Sequence, residues 1–134
     1  MSENAPTYES AGVSLATADA VVERLRMAVE STGATGFGHF AGLSPLDEHR
    51  FLAASTDSVG STLLLHRRAG TLRWGGMDLA AHCINDVLCS GAEPLFFLDY
   101  VAAEHIGLEQ VAALVEGAAE VCRRAGCMLI GGET

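Results

Sequence analysis

Residues 94–132 read PLFFLDYVAAEHIGLEQVAALVEGAAEVCRRAGCMLIGG, and this stretch decides the fold class. After Pro94, the segment Leu95 to Val101 is almost continuously apolar, the pattern of a strand buried on both faces. From Leu108 to Ala125 the period changes to that of a helix. Val111, Leu114, Val115, Ala118, Ala119 and Cys122 form one apolar stripe, and Gly126 supplies the stop. Cys127 to Ile130 reads as a last buried strand, broken by Gly131-Gly132.

Working towards the N-terminus, a second helix begins at Gly76. Met77, Ala80, Ala81, Ile84, Val87 and Leu88 lie on one side, with Gly91 as its C-terminal cap. The other side carries Asp78, His82, Asn85, Asp86 and Cys89, a polar face short of long solvating side chains. Phe51 to Ser55 is expected to be a short buried strand, paired with a second apolar run from Ser61 to His66. Ser44-Pro45-Leu46-Asp47 reads as a turn, and Gly36, Gly38 and Gly42 punctuate a loop. Val21, Leu25 and Val29 place a further helix at about Ala16 to Glu30, preceded by a mobile arm over residues 1–11. The order helix, paired strands, helix, strand, helix, strand gives an α/β (α+β layered) domain over residues 12–134.

Composition narrows the chemistry. The chain has 134 residues, which suits one domain, and its 49% hydrophobic against 19% charged residues favour a packed core over disorder. All eight basic side chains are arginine. The lack of lysine excludes a Schiff base, a lysine general base and the lysine-bearing phosphate loop. A net charge of −9 argues against nucleic acid as a partner, since phosphate neutralisation needs a basic stripe. No apolar run is long enough for a membrane span, and Met1 to Ser10 shows no secretory signal, so the expected location is cytoplasmic. Cys83, Cys89, Cys122 and Cys127 form no C-x-x-C pair and are expected to be buried, reduced thiols.

Three segments carry candidate chemistry. Thr56-Asp57-Ser58-Val59-Gly60-Ser61-Thr62 combines a carboxylate with small and hydroxyl residues. It reads either as a Mg²⁺ and phosphate site or as a polar loop with an Asx turn. Asn85-Asp86 offers an amide and a carboxylate on a helix, sufficient for Mg²⁺ or simply a solvated face. Gly131-Gly132-Glu133-Thr134 places a carboxylate after a buried strand, a favoured place for ligands in α/β sheets. His82 reads first as a partner of a neighbouring carboxylate, and second as a metal ligand or proton carrier.

In combination these segments resemble the aminoimidazole ribonucleotide synthetase family, also called phosphoribosylformylglycinamidine cyclo-ligase. The resemblance is carried by Gly75-Gly76-Met77-Asp78-Leu79, Cys83-Ile84-Asn85-Asp86-Val87-Leu88, Ser90 through Tyr100 and Gly131-Gly132-Glu133-Thr134, with Tyr8, Gly36-Phe37-Gly38 and Thr56 to Gly60 in matching order. It implies ATP-dependent closure of formylglycinamidine ribonucleotide to aminoimidazole ribonucleotide, with ATP and Mg²⁺ as cofactors. It implies Asp57, Asp86 and Glu133 as metal-organising carboxylates, Gly36, Gly38, Gly60 and Asn85 near the nucleotide, and a homodimer pairing strands across its axis. Ser55-Thr56-Asp57-Ser58-Val59-Gly60-Ser61-Thr62 stands where the family has Gly-Thr-Asp-Gly-Val-Gly-Thr-Lys, and Glu9 stands where it has a lysine. Arg24 and Arg26 are then the nearest cations to compensate. The family continues past Gly-Gly-Glu-Thr into a second domain, so the chain reads either as a fragment of a longer protein or as one half of a split enzyme whose other half is a separate polypeptide. The alternative is a non-catalytic dimerising module of the same descent that binds a nucleotide or a partner.

Overall fold

A computed structural model describes residues 7–34, 37–103, 105 and 107–134. In chain order the elements are α1 (Leu15–Glu30), β1 (Gly42–Pro45), β2 (Phe51–Ala54), α2 (Thr62–Ala69), α3 (Leu72–Cys89), β3 (Phe96–Tyr100), α4 (Leu108–Ala125) and β4 (Met128–Glu133). They fall into two compact units, Met1–His39 and Phe40–Thr134.

In the first unit Ser14 caps α1 by accepting the Thr17 N–H at 3.2 Å, as a serine N-cap should. None of the residues of α1 is buried. Arg26 is held on this helix by Glu23 and Glu30, and its guanidinium lies 5.6 Å from the centre of the Phe37 ring. Of the expected arm, Thr7 to Ser10 forms an exposed turn closed by reciprocal hydrogen bonds, while residues 1–6 lie outside the described residues.

The second unit opens with an antiparallel hairpin in which Gly42 pairs Ala54 and Pro45 pairs Phe51. Its turn is tied by Asp47, whose Oδ1 accepts the N–H groups of His49 and Arg50 at 3.0 and 2.9 Å. The expected turn at Ser44-Pro45 is therefore strand, and the turn proper follows it. The partner expected for β2, the run Ser61 to His66, is instead the start of α2. Thr62-Leu-Leu-Leu-His-Arg-Arg-Ala is rich in straight-chain helix formers, and a short apolar run does not by itself distinguish strand from helix. β2 is also less buried than expected, with Phe51 60% exposed.

The core lies between α3, α4 and the parallel pair β3–β4. Ala80, Cys83, Ile84, Phe97, Ala118, Cys122 and Cys127 are its buried residues. Helix α4 occupies the range expected from its stripe and ends at Gly126, whose φ of 70° forms the left-handed cap. Helix α3 starts at Leu72, four residues before the expected Gly76, because Gly75 and Gly76 are interior helical residues against α4. A Cβ on Gly76 would overlap the Leu114 carbonyl, and one on Gly117 would overlap the Arg73 carbonyl. The two helices thus approach through reciprocal glycines, and this packing overrides glycine's poor helix propensity.

β4 runs through Gly131-Gly132, where the sequence pattern ended it, pairing Leu98 with Gly131 and Asp99 with Gly132 after an irregularity between Phe97 and Leu98. A side chain at Gly132 would overlap Asp99, so glycine is what allows the pairing to continue. β3 is buried on one face only. Phe97 faces the helices, while Phe96, Leu98 and Tyr100 are exposed.

Candidate functional site

The segment 55–60 leaves β2, crosses the polar face of α3 and enters α2. Asp57 keeps Oδ1 on the Ser58 N–H at 2.7 Å, and its Oδ2 lies 3.8 Å from Nδ1 of His82 on α3. One turn along α3, Asp86 accepts a hydrogen bond at 2.7 Å from Ser55 Oγ to its Oδ2. Ser90 Oγ adds a bond at 3.2 Å to the Asp86 carbonyl. Beneath them lies buried Cys83. Burial pushes its thiol pKa up, the Asp57 backbone N–H pulls it down, and the Asp57 and Asp86 carboxylates push it up further. The two sequence-distant aspartates thus lie against one face of α3, Asp57 beside His82 and Asp86 a turn further on.

This corner opens onto an apolar cleft of about 880 Å³, lined among others by Asp57, Gly60, Leu79, Cys83, Phe97 and Tyr100. A cleft that is mostly apolar with a few converging polar groups is the usual form of a small-molecule site. Gly60 stands at its rim with φ of 64°.

The expected residues are only partly gathered. Asn85 is exposed on α3 beside Asp86. Glu133 ends β4, where its carbonyl accepts the Val101 N–H at 2.9 Å. Among the described residues no group of three His, Cys, Asp or Glu side chains converges to hold a metal ion, so the three-carboxylate set is not assembled. Gly38 belongs to the first unit, with φ of 104°, and Gly36 lies outside the described residues.

A model of the AIR synthase related protein family, N-terminal domain, matches residues 8–134. The chain belongs to this family. Among curated relatives, the phosphoribosylformylglycinamidine cyclo-ligase of Prochlorococcus marinus (strain MIT 9313) is 46% identical over 134 residues, covering 95% of the chain and 39% of the relative. The enzymes of the same name from Synechococcus sp. (strain CC9311) and Lactobacillus delbrueckii subsp. bulgaricus are 46% and 43% identical with the same coverage. The chain spans 39% of the length of these relatives and matches their N-terminal part.

Three contacts in this domain have no signal in the sequence pattern. His82 meets Asp57 of the loop, whereas its spacing suggested Asp78 or Asp86 of its own helix. Asp78 instead pairs with His66, which had no expected role. His66 Nε2 is 3.0 Å from Asp78 Oδ2, and its Nδ1 is 3.0 Å from Thr71 Oγ1. Ser55 reaches Asp86 across 31 positions, a contact with no local signal. Nor are the thiols uniformly buried, since Cys89 is exposed on the last turn of α3. Arg26, expected as a substitute cation, is already engaged by two glutamates and the Phe37 carbonyl. No helix among the described residues is long and apolar enough to cross a membrane.

Proposed function

We propose that the chain forms the nucleotide-facing N-terminal part of an ATP-dependent cyclo-ligase acting in the cytoplasm. Its reaction would be the conversion of formylglycinamidine ribonucleotide and ATP to aminoimidazole ribonucleotide, ADP and phosphate. The observation that carries this reading is that Asp57 lines the cleft while Asp86 stands on the same face of α3 as His82, the neighbour of Asp57, in a chain 46% identical over 134 residues to part of a curated cyclo-ligase.

The donor set suits Mg²⁺, which takes one or two carboxylates and fills its remaining positions with water and phosphate oxygens. Asp57 and Asp86 would hold it, and Asn85 and Gly60 would face the nucleotide. Bound there, the ion supplies charge neutralisation to the triphosphate during transfer to the formyl oxygen. The protein's task is then mainly positioning. The 55–60 loop carries Asp57 to the cleft, α3 carries Asp86, and the apolar walls exclude water from the reacting groups. With no lysine in the chain, cationic assistance from these residues falls to arginine.

A second reading is favoured by the uncovered sheet face. Phe96, Leu98, Tyr100, Met128 and Ile130 on β3 and β4 are 47–72% exposed, and grouped exposed apolar side chains of this kind mark an interaction surface. On this reading the chain is a dimerising module that binds a nucleotide or a partner without turnover. A homodimer is part of both readings, and in the first the rest of the cleft comes from a continuation of the chain or from a separate polypeptide.

Calorimetric titration of the purified protein with ATP and Mg²⁺, followed by an ADP-release assay with formylglycinamidine ribonucleotide, tests the proposal. The cyclo-ligase reading expects heat of binding that Asp57→Asn and Asp86→Asn each reduce, and ADP that depends on the ribonucleotide. Binding without ADP, with a dimer seen by light scattering, selects the second reading. Undiminished binding in either variant removes that aspartate from the site.

A further inference from the structure

We propose that Ser55 is a positioning residue for Asp86, fixing its carboxylate for a divalent cation carried with the nucleotide. This rests on the Mg²⁺-nucleotide reading of the same corner. Ser55 follows the last residue of β2, and its Oγ donates to Asp86 Oδ2 at 2.7 Å. Both residues are half-buried, so water competes weakly for the bond. Asp86 is steadied from behind by α3, whose opposite face is packed on α4, and by Ser90 at its carbonyl.

Among the described residues no hydrogen bond takes up Asp86 Oδ1. A carboxylate tied through one oxygen loses most of its freedom about the terminal torsion, which is otherwise broad. Its second oxygen is therefore offered in a set direction. Asp57 differs, with Oδ1 on the Ser58 N–H and Oδ2 in an ion pair with His82 at 3.8 Å. Asp86 is the carboxylate fastened by one oxygen with the other left available. Mg²⁺ demands near-ideal octahedral geometry, so such restraint bears directly on cation affinity. A glycine at this position could not make the contact.

The competing role for Ser55 is a structural staple between β2 and α3. A staple affects stability, whereas a positioning residue affects cation affinity in the folded protein. The test is Mn²⁺ binding to the purified protein in the presence of ATP, read by electron paramagnetic resonance, with urea unfolding alongside. Ser55→Ala is expected to weaken Mn²⁺ binding about tenfold or more, the usual weight of one hydrogen bond to a charged group. Ser55→Gly, which removes the same hydroxyl, is expected to do the same, and Ser55→Thr, which keeps it, should bind as the parent does. In an Asp86→Asn background, Ser55→Ala should add nothing. Equal Mn²⁺ affinity in Ser55→Ala and the parent overturns the proposal and leaves the nucleotide reading standing. Failure of the parent to bind Mn²⁺ with ATP overturns the nucleotide reading, and the role of Ser55 falls with it.

Discussion

Replacing Gly117 by alanine should destabilise the protein, although alanine is the better helix former. On propensity alone, Gly→Ala within a helix gains about 1 kcal/mol. Here the added methyl would overlap the Arg73 carbonyl oxygen and approach the Met77 amide nitrogen to 3.1 Å. Neither atom can turn aside, because both belong to the backbone of α3. The helices must instead move apart by roughly 1 Å, enough to forfeit a quarter to a half of each dispersion contact across the interface. Ala80, Cys83, Ala118 and Cys122 are buried there. An overpacking cost of about 3 kcal/mol, set near the top of the usual range because the obstacle is main chain, leaves a net loss of about 2 kcal/mol. At this chain length that corresponds to a fall in Tm of about 6–10 °C, and to a urea midpoint lower by about 1 M. Thermal and urea unfolding followed by circular dichroism measure both. A variant as stable as the parent, or more so, would refute the reciprocal-glycine packing, since propensity would then have prevailed.

Other expectations follow from local geometry. With a thiol reagent at pH 8, exposed Cys89 should react in the folded protein while Cys83, Cys122 and Cys127 wait for unfolding. Burial pushes the Cys122 pKa up to about 11, so little thiolate is available there; four fast thiols would contradict this. Asp47 should titrate below the ordinary 3.8, held down by the Arg50 side chain and the His49 N–H, and Arg50→Ala should move its NMR-observed titration upwards. Because the folded pKa is lowered, its stabilisation of the hairpin is present above the unfolded pKa and disappears as pH falls through the folded value. His66→Ala should cost about 1–2 kcal/mol in urea unfolding, since it removes the group linking Thr71 and Asp78. No change in that variant would mean the link contributes nothing.

Most of the second unit's order was legible in the chain. The stripe from Val111 to Cys122 and the stop at Gly126 define α4 because helical period and cap are local properties. The apolar run before Tyr100 likewise marks β3, although periodicity cannot say that only the Phe97 face would be covered. The run Ser61 to His66 reads as strand because three consecutive leucines carry no period; α2 forms there. At the site, Asp57 and Asp86 were recognisable as carboxylates in suggestive surroundings. Their common neighbourhood was not, since it depends on where the 55–60 loop crosses α3.

By itself, the sequence determined the α/β class, the family, the positions of α1, α4 and β3, and the exclusion of lysine chemistry. These follow from residue type, local period and motif order, none of which needs a second segment. Only the tertiary structure decided that Gly75 and Gly76 lie inside α3, that β4 continues through Gly131-Gly132, and that Ser55 and His82 are the neighbours of the two aspartates. Each of these is a contact between segments far apart in the chain, where the fit of one backbone or side chain against another outweighs local preference.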